Sequence, residues 1–362
     1  MTDVEFRERL LRWFRENKRD LPWRREVSPY RTWISEIMLQ QTRVNAVRDY
    51  FLGFTQELPT VEELAAVPDE RLMKLWQGLG YYSRARNLKR AAQTIVSEYG
   101  GEIPSSAEAL LSLPGIGSYT MGAIASIAFG KRVPAVDGNV LRVYARIFGD
   151  ERDITLPITK KAFEKEVLRL MPEERAGLPE GNDCGDFNEG LIELGATVCL
   201  PNGAPLCSGC PFFEDCIARR EGKIDSIPMR GKKMQRRIEE RTVLLLSDGT
   251  RYALVKRPAN GLLASLFEFV NLESRMSDRE IRDWLSDRGV SAAEITKIGK
   301  AKHIFTHLEW HMTGYFVRFA GNIEIDAIFA SPDEIRTEYA IPSAFQFFLR
   351  YIEENGRGKS EK

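Results

Sequence analysis

The chain has 362 residues, of which 43% are hydrophobic and 29% are charged. This mixture is that of a folded globular protein of about two domains, and it excludes a disordered, collagen-like or coiled-coil chain. Lys and Arg together number 52, as do Asp and Glu, so the formal net charge is zero. A uniformly basic nucleic-acid-binding protein is thereby excluded, whereas local basic patches are not. Because no apolar run resembles a signal peptide or a membrane span, we expect a cytoplasmic protein with no membrane partner.

Residues 1–222 are predicted to form a mainly helical region, because apolar residues recur there at helical spacing between turn signals. The predicted helices cover residues 6–17, 29–54, 107–112, 119–129, 140–148 and 160–171. Residues 223–240 are predicted to be a basic linker, followed by a small α+β domain over 241–355 and a tail over 356–362. Within that domain we predict a helix at 278–287 and strands at 242–246, 252–256 and 310–319.

Ser28 and Pro29 predict a helix start, with Ser28 as the N-cap. On this helix, Glu36 lies off the stripe of apolar residues that would face the core. Leu39 shares its face, which is unusual for a solvated surface. A solvated glutamate is the ordinary interpretation of such a position, and a sheltered acid is the alternative.

Residues 113–117, with the sequence Leu-Pro-Gly-Ile-Gly, lie between two predicted helices. The two glycines allow a tight turn with exposed N–H groups, and the next helix is predicted to start at Ser118 or Tyr119. Such a turn can bind a phosphate of a nucleic-acid backbone, although an ordinary corner between helices explains the motif equally well. Further on, Asp137 is predicted to cap a helix, and the apolar segment before it would desolvate its carboxylate and perturb its pKa.

Four of the five cysteines cluster in one short segment. Prolines keep this segment irregular, so that it can wrap four thiolates around one centre. Zinc is one interpretation of such a ligand set. Zinc folds usually present two C-x2-C pairs, however, and a single pair in an uneven loop favours a [4Fe–4S] cluster. Cys184 lies in a polar stretch and is predicted to be a free thiol. The predicted cluster ligands are Cys199, Cys207, Cys210 and Cys216.

The Leu-Pro-Gly turn, the aspartate that follows it and the four-cysteine loop together resemble the helix–hairpin–helix DNA glycosylase superfamily of endonuclease III. Residues 21–24 (LPWR), 33–42 (WISEIMLQQT) and 78–88 (GLGYYSRARNL) narrow the resemblance to the MutY-type adenine DNA glycosylases. It covers nearly the whole chain. It implies a mainly α helix–hairpin–helix glycosylase region (turn at 113–120) with an iron–sulfur loop at 199–216, followed by an α+β, MutT/Nudix-like domain.

The resemblance implies that the chain flips adenine mispaired with 8-oxoguanine out of double-stranded DNA and removes it hydrolytically. Glu36 corresponds to the general acid that protonates adenine N7, and a raised pKa would keep it protonated. Asp137 corresponds to the carboxylate that stabilises the oxocarbenium-like sugar. Asn139 would orient the site and Tyr119 would border the pocket. Relatives that also cleave the DNA strand carry a lysine near this position, so a monofunctional enzyme is implied.

DNA- and lesion-binding residues are also implied by the resemblance. Gln41 and Tyr81 correspond to wedges that fill the base stack. Arg84 belongs to a basic run that favours phosphate contact, although a solvated helix face would have the same pattern. The turn that reads 8-oxoguanine corresponds to residues 305–307, which are Phe305, Thr306 and His307. The remaining residues assigned to DNA contact are Arg24, Leu39, Thr42, Gly115 and Gly117.

Two other functions compete with this hypothesis. An endonuclease III-like enzyme would remove oxidised pyrimidines and cleave the strand, and the absence of lysine at position 119 argues against it. A non-catalytic lesion-binding or iron–sulfur redox protein would not need Glu36 and Asp137. Nucleotide hydrolysis is not expected, because the acidic cluster that holds Mg²⁺ in Nudix hydrolases is missing after Glu268. By default we expect a monomer.

Overall fold

The computed structural model describes residues 1–174, 182–231, 235–290 and 293–356. The chain divides into two compact units. Residues 1–66 and 86–232 form unit 1, and residues 67–85 and 233–362 form unit 2. A segment of the predicted helical region is therefore grouped with the C-terminal unit. Of the predicted tail, all but Gly356 lies outside the described residues, as do residues 232–234 of the predicted linker.

The described residues up to 231 are mainly helical. In chain order the α-helices are α1 (Asp3–Asn17), α2 (Pro22–Arg25), α3 (Pro29–Leu39), α4 (Val44–Glu57), α5 (Val61–Ala66), α6 (Asp69–Leu75), α7 (Ser83–Tyr99), α8 (Ala107–Ser112), α9 (Ser118–Ala123), α10 (Gly138–Phe148), α11 (Pro157–Leu170), α12 (Asp183–Thr197) and α13 (Ile217–Arg220). A π-helix over Ile124–Ala128 continues α9, and Cys207–Gly209 form a 3₁₀ turn. The helix α6 and the first residues of α7 belong to unit 2.

The prediction of one helix over residues 29–54 is wrong, because α3 and α4 divide this segment. The helix α3 ends at Leu39, and Gln41 adopts a left-handed backbone conformation with φ of 56°. Right-handed helices do not contain such a residue. The break carries neither glycine nor proline, so the sequence pattern gives no sign of it.

The helix α12 runs through unit 1 and packs against α1, α10 and the π-helix. The apolar core around α12 contains buried side chains from several helices of unit 1, including Phe6, Phe163 and Leu191. Cys184, in the first turn of α12, is a free thiol as predicted. Although the sequence around it is polar, only 2% of the residue is exposed. Burial raises the pKa of this thiol to about 11.

Unit 2 contains a mixed sheet flanked by helices. Besides α6, its helices and strands are β1 (Arg237–Ser247), β2 (Tyr252–Lys256), β3 (Phe267–Glu268), β4 (Val270–Leu272), α14 (Asp278–Ser286), β5 (Ala293–Ile304), β6 (Leu308–Phe319), β7 (Ile328–Ala330), α15 (Pro332–Thr337) and α16 (Gln346–Gly356). The strand order is β3-β2-β1-β6-β5, with β4 beside β1 and β7 beside β2. Strands β1 and β6 are parallel, whereas β5 and β6 form an antiparallel hairpin.

Both faces of this sheet are covered, because successive side chains of a strand point to opposite faces. In β1, Val243 and Leu245 enter one apolar core and Leu244 and Leu246 enter the other. The strand begins at Arg237, inside the predicted linker, because its first residues pair with β6. The sequence analysis missed β5, an edge strand in which lysines alternate with smaller residues. Within the described ranges, no helix has the length and apolar character needed to cross a membrane.

Candidate active site

The predicted turn joins α8 to α9. Gly115 has φ of 82°, and a Cβ atom at this position would lie 2.8 Å from the Cβ of Asn87, so glycine is required there. Gly117 is the N-cap of α9, which begins at Ser118 as predicted. The turn thereby places Tyr119 in the first turn of α9.

Glu36 lies inside unit 1, with only 7% of the residue exposed. The solvated interpretation of this position is therefore wrong. The Ser28 side chain accepts a hydrogen bond from the Arg31 N–H and caps α3, as predicted. Facing Glu36 is Tyr119, whose hydroxyl donates to Glu36 Oε2 at 2.8 Å. Burial raises the pKa of Tyr119 well above its ordinary value, and the carboxylate of Glu36 adds to this effect, so the phenol keeps its proton.

Burial also raises the pKa of Glu36, to about 7. The Tyr119 hydrogen bond opposes this rise, the carboxylates of Glu189 and Asp137 add to it, and the Arg24 guanidinium opposes it. At neutral pH, a large fraction of Glu36 therefore carries a proton. A carboxylic acid in this state can act as a general acid.

Asp137 is the N-cap of α10, as predicted. Its Oδ1 atom accepts hydrogen bonds from the N–H groups of Asn139 and Val140 at 2.8 and 2.9 Å. The Asn139 side chain donates to Asp137 Oδ2 at 2.7 Å, and Asn139 Oδ1 accepts from Arg142 at 2.9 Å. Burial raises the pKa of Asp137 above its ordinary value, and these three hydrogen bonds oppose the rise. The capping residue and the sheltered carboxylate are thus the same group.

The sequence analysis missed a second carboxylate cluster on α12. Arg24 Nε lies 2.6 Å from Glu189 Oε1, and Arg24 Nη2 lies 3.1 Å from Glu193 Oε2. Arg19 Nε lies 2.6 Å from the other oxygen of Glu193, which is 1% exposed. Burial raises the pKa of Glu189, whereas Arg19 and Arg24 hold the pKa of Glu193 below its ordinary value despite burial.

These contacts assign Arg24 a different partner from the DNA that the resemblance implies. Its side chain is 11% exposed and is directed at the two glutamates. The sequence does carry a signal for the cluster. Glu189 and Glu193 are four residues apart on one helix, where two solvated carboxylates would repel each other. Such a pair among apolar residues indicates a buried cation.

The turn between α3 and α4 carries Gln41 and Thr42, which are predicted to contact DNA together with Leu39, the last residue of α3. Gln40 Nε2 donates to Thr120 Oγ1 at 3.1 Å, which fastens this turn to α9. The next residue, Gln41, is exposed, and its left-handed backbone costs about 1–2 kcal/mol for a residue other than glycine. Leu39 and Thr42 are half-buried on either side of it.

Unit 2 presents Tyr81 in a similar way, with φ of 47° and 46% exposure. Arg84 lies beneath it rather than on the surface that the predicted phosphate contact requires, since the residue is 8% exposed. The Arg84 Nη2 atom donates to the carbonyl oxygens of Leu79 and Gly80 at 3.1 Å. Its guanidinium lies 5.7 Å from the Tyr81 ring centre. Arg84 therefore supports the loop that carries Tyr81.

Residues 305–307 form the turn between β5 and β6. The Phe305 N–H donates to the Leu308 carbonyl at 2.8 Å, and the Phe305 ring packs edge-on against Trp310 with centres 4.9 Å apart. Thr306 and His307 are exposed at the tip. The Thr306 hydroxyl lies 3.2 Å from the hydroxyl of Tyr81, within the same unit. Two predicted lesion-binding residues from distant parts of the sequence are thus neighbours.

The four predicted ligand cysteines line one cavity, together with Arg146; they are Cys199, Cys207, Cys210 and Cys216. Arg146 Nη1 lies 3.4 Å from Cys199 Sγ, as a cationic donor to that sulfur. Burial raises the pKa of Cys210 to about 12, and the three other cysteines act on it in the same direction. Within the part of the chain that the structure describes, no three His, Cys, Asp or Glu side chains form a group that could hold a single metal ion. The thiols surround a volume, as the ligands of an iron–sulfur cluster must.

Comparison with known proteins places this site in context. Residues 34–173 match the family described as HhH-GPD superfamily base excision DNA repair protein, and residues 241–351 match the NUDIX domain. The adenine DNA glycosylase of Homo sapiens is 32% identical over 385 residues, which cover 89% of this chain and 68% of the human protein. The adenine DNA glycosylase of Rattus norvegicus is 32% identical, covering 98% of this chain and 79% of its own.

Solved structures agree on the fold of the first region. A thermostable thymine-DNA glycosylase is 31% identical with a TM-score of 0.53, over 60% of this chain and 97% of that one. Endonuclease III in a non-covalent DNA complex has a TM-score of 0.50 at 23% identity, over 61% of this chain and 98% of its own. The second likeness supports the fold alone.

Proposed function

Because this chain belongs to the adenine DNA glycosylase family and is a DNA glycosylase of base excision repair, we propose that it removes adenine mispaired with 8-oxoguanine, and also with guanine, from double-stranded DNA. The predicted family and the predicted combination of a helix–hairpin–helix region with a Nudix-like domain are confirmed. The observation that carries the proposed chemistry is the buried pair of Glu36 and Tyr119, joined at 2.8 Å.

Breaking an N-glycosidic bond requires a proton for the base and a negative charge for the sugar. In the proposed reaction, Glu36 gives its proton to adenine N7 while the bond between the base and C1′ breaks, and the bonding electrons leave with adenine. The sugar becomes an oxocarbenium ion, which the carboxylate of Asp137 stabilises until water adds to C1′. This water releases a proton, which balances the one that Glu36 gave to adenine and returns Glu36 to its acid form. Tyr119 and Asn139 hold the two acids in place.

The environments of the two acids support this division of roles. Asp137 accepts three hydrogen bonds that favour its ionised form, whereas Glu36 accepts one from Tyr119 and its pKa is raised further by the carboxylates of Glu189 and Asp137. Neighbouring carboxyl groups that differ in this way separate into an acid and an anion. The phenol of Tyr119 cannot form the imine through which a lysine cleaves the strand, so we propose an intact strand with an abasic site as the product.

Recognition of 8-oxoguanine is proposed for the exposed tip of the 305–307 turn. The Thr306 hydroxyl can donate or accept a hydrogen bond there, and His307 adds a second polar group. Gln41 and Tyr81 are proposed to fill the space in the base stack when adenine leaves it. Their exposure on fixed, left-handed backbone positions supports this role.

We propose that the cavity lined by the four cysteines holds a [4Fe–4S] cluster, with Cys199, Cys207, Cys210 and Cys216 as its ligands. When bound, the group would cross-link the loop to the helices beside it, and it enters no step of base removal. Iron and sulfide analysis of the purified protein, with absorbance at about 400 nm, separates this cluster from zinc. A zinc-loaded, colourless protein would contradict the assignment.

The direct test is a glycosylase assay on duplexes that carry adenine opposite 8-oxoguanine, guanine, thymine or cytosine. We expect the fastest release of adenine opposite 8-oxoguanine, slower release opposite guanine, and strand breaks only after alkali treatment. A duplex with an oxidised pyrimidine serves as the control for the endonuclease III-like alternative. Release of that pyrimidine with strand cleavage, and no release of adenine, would overturn the proposal.

A further inference from the structure

The segment of residues 133–136, which has no regular secondary structure, leads into Asp137, and no strand of the described chain pairs with it. Two of its backbone groups are instead bonded by one side chain. Asn188, on α12, donates from Nδ2 to the Val133 carbonyl at 2.8 Å and accepts at Oδ1 from the Ala135 N–H at 3.0 Å. Asn188 is fully buried, with 0% exposure. This residue was not singled out by the sequence.

The Asn188 amide acts as a substitute for a neighbouring strand. In a parallel β-ladder, the C=O of one residue and the N–H of the residue two positions later point to the same side, where one residue of the partner strand offers a donor and an acceptor. A carboxamide offers the same pair of groups side by side. Val133 and Ala135 are spaced in this way, so the orientation of the Asn188 amide is fixed by both of its partners.

The second N–H of Asn188 is fixed as well. It donates to Ser126 Oγ at 2.8 Å, and the Ser126 hydroxyl in turn donates to the Gly122 carbonyl at 2.7 Å. Ser126 lies on the π-helix and is itself fully buried. A Cβ atom at Gly122 would lie 2.1 Å from the Pro134 carbonyl oxygen, so helix and segment are in direct backbone contact. The segment is therefore held on two sides.

We propose that Asn188 is a positioning residue that fixes the approach to Asp137 and so sets where the Asp137 carboxylate stands relative to the flipped nucleotide. This inference rests on the proposed role of Asp137 in stabilising the sugar cation. The cap of α10 holds Asp137 from its C-terminal side, and Asn188 holds the chain two residues before it. A catalytic group displaced by about 1 Å can lose about 100-fold in rate.

The test compares Asn188→Ala with a matched control, Asn182→Ala. Asn182 is the N-cap of α12 and also bonds the π-helix, through the carbonyls of Ser126 and Ile127, and its side-chain oxygen accepts from the Gly185 N–H rather than from the segment before Asp137. We expect Asn188→Ala to slow single-turnover release of adenine by about 30- to 100-fold. Its Kd for a duplex with a non-cleavable adenine analogue should stay within about threefold of wild type. Asn182→Ala should keep both quantities within about threefold.

The rate at which the Ala135 amide hydrogen exchanges with solvent measures how firmly Asn188 holds the segment, independently of catalysis. The exchange should be faster in Asn188→Ala and unchanged in Asn182→Ala. If Asn188→Ala does not fold, Ser126→Ala removes the acceptor behind the amide and should slow release by about three- to tenfold at unchanged affinity. Wild-type rates in Asn188→Ala or Ser126→Ala, or equal losses in rate and affinity, would overturn the inference. If the wild-type enzyme releases no adenine, the proposed function fails first and this inference fails with it.

Discussion

The carboxylate pocket of unit 1 and the 305–307 turn of unit 2 hold their functional side chains in opposite ways. In the pocket, Glu36 is almost fully buried and Asp137 is bonded on three sides by its own helix terminus. At the turn, Thr306 and His307 stand exposed on a tight hairpin. A carboxylic acid keeps its proton at neutral pH only if its pKa is raised, and burial away from water raises it. Recognition needs groups that a partner can reach.

The pocket and the turn also differ in how much they lower the stability of the fold. A buried acid with a raised pKa destabilises the fold whenever it ionises, because the unfolded chain ionises more easily. An exposed threonine on a turn carries no such penalty. Substitutions in the pocket should therefore change both activity and stability, whereas those at the turn should change selectivity alone. The following predictions test this contrast.

The largest effect is expected from Glu36→Gln. Loss of the general acid should slow single-turnover release of adenine by about 10²- to 10⁴-fold, because the leaving base can no longer be protonated. Affinity for the mispaired duplex should survive. Glu102→Gln, at an exposed position of the same unit, is the matched control and should behave as wild type. A normal rate in Glu36→Gln would refute the assigned role.

The same substitution should stabilise the fold at alkaline pH. The folded-state pKa of Glu36 is raised from 4.5 to about 7, so between these values the native protein binds a proton that the unfolded chain has released. Stability is therefore lost as the pH rises through this window. Replacement by neutral Gln should recover about 1–3 kcal/mol at about pH 8, at 1.36 kcal/mol for each pKa unit. Urea unfolding at acidic and alkaline pH measures this.

The gain should shrink as the pH is lowered towards the pKa of the unfolded chain, where Glu36 is protonated in both states. If Glu36→Gln is no more stable than wild type at alkaline pH, burial does not raise the pKa of Glu36. Glu102→Gln serves as the control here too, since that residue is exposed.

A smaller effect is expected from Tyr119→Phe. The Tyr119 hydrogen bond lowers the pKa of Glu36, so its loss should move the alkaline limb of the rate profile to higher pH. The maximal rate should fall by about tenfold, since one hydrogen bond to an acidic group is lost. Single-turnover rates across the pH range measure both changes, with Tyr99→Phe as the control. An alkaline limb that does not move would contradict the assigned contact.

The smallest effect belongs to the turn. Thr306→Ala should lower the preference for 8-oxoguanine over guanine opposite adenine by about fivefold, the value of one hydrogen bond. The rate on the guanine mispair and the unfolding free energy should stay as in wild type. Thr306→Ser keeps the hydroxyl and should keep the preference. Equal losses on both substrates would mean that the turn does not discriminate between them.

Local features of the structure were predictable from the sequence because local rules fix them. The helix α8 and the strand β2 occur at the predicted residues, and Ser28 and Asp137 cap their helices. The candidate acid was identified by resemblance, and its burial could not be read from helix periodicity alone. That burial depends on Tyr119, which arrives from another helix.

Features that depend on distant residues were missed. The Arg24 guanidinium was assigned to DNA because no local pattern shows that α12 brings Glu189 and Glu193 to it. In the same way, only the folded chain reveals that Tyr81 and Thr306 are neighbours. Sequence patterns indicate which residues are charged, and tertiary packing decides which charges lose their water.

Gln41 and Tyr81 both occupy backbone conformations that glycine adopts without strain. A glycine at either position would relieve about 1–2 kcal/mol of strain and would delete the side chain that is proposed to fill the base stack. The flexible glycine would at the same time stabilise the unfolded chain by about 0.4–1 kcal/mol, so the net gain in stability would be small. Fold stability alone would accept glycine at these two positions, whereas the proposed role in the base stack requires a side chain.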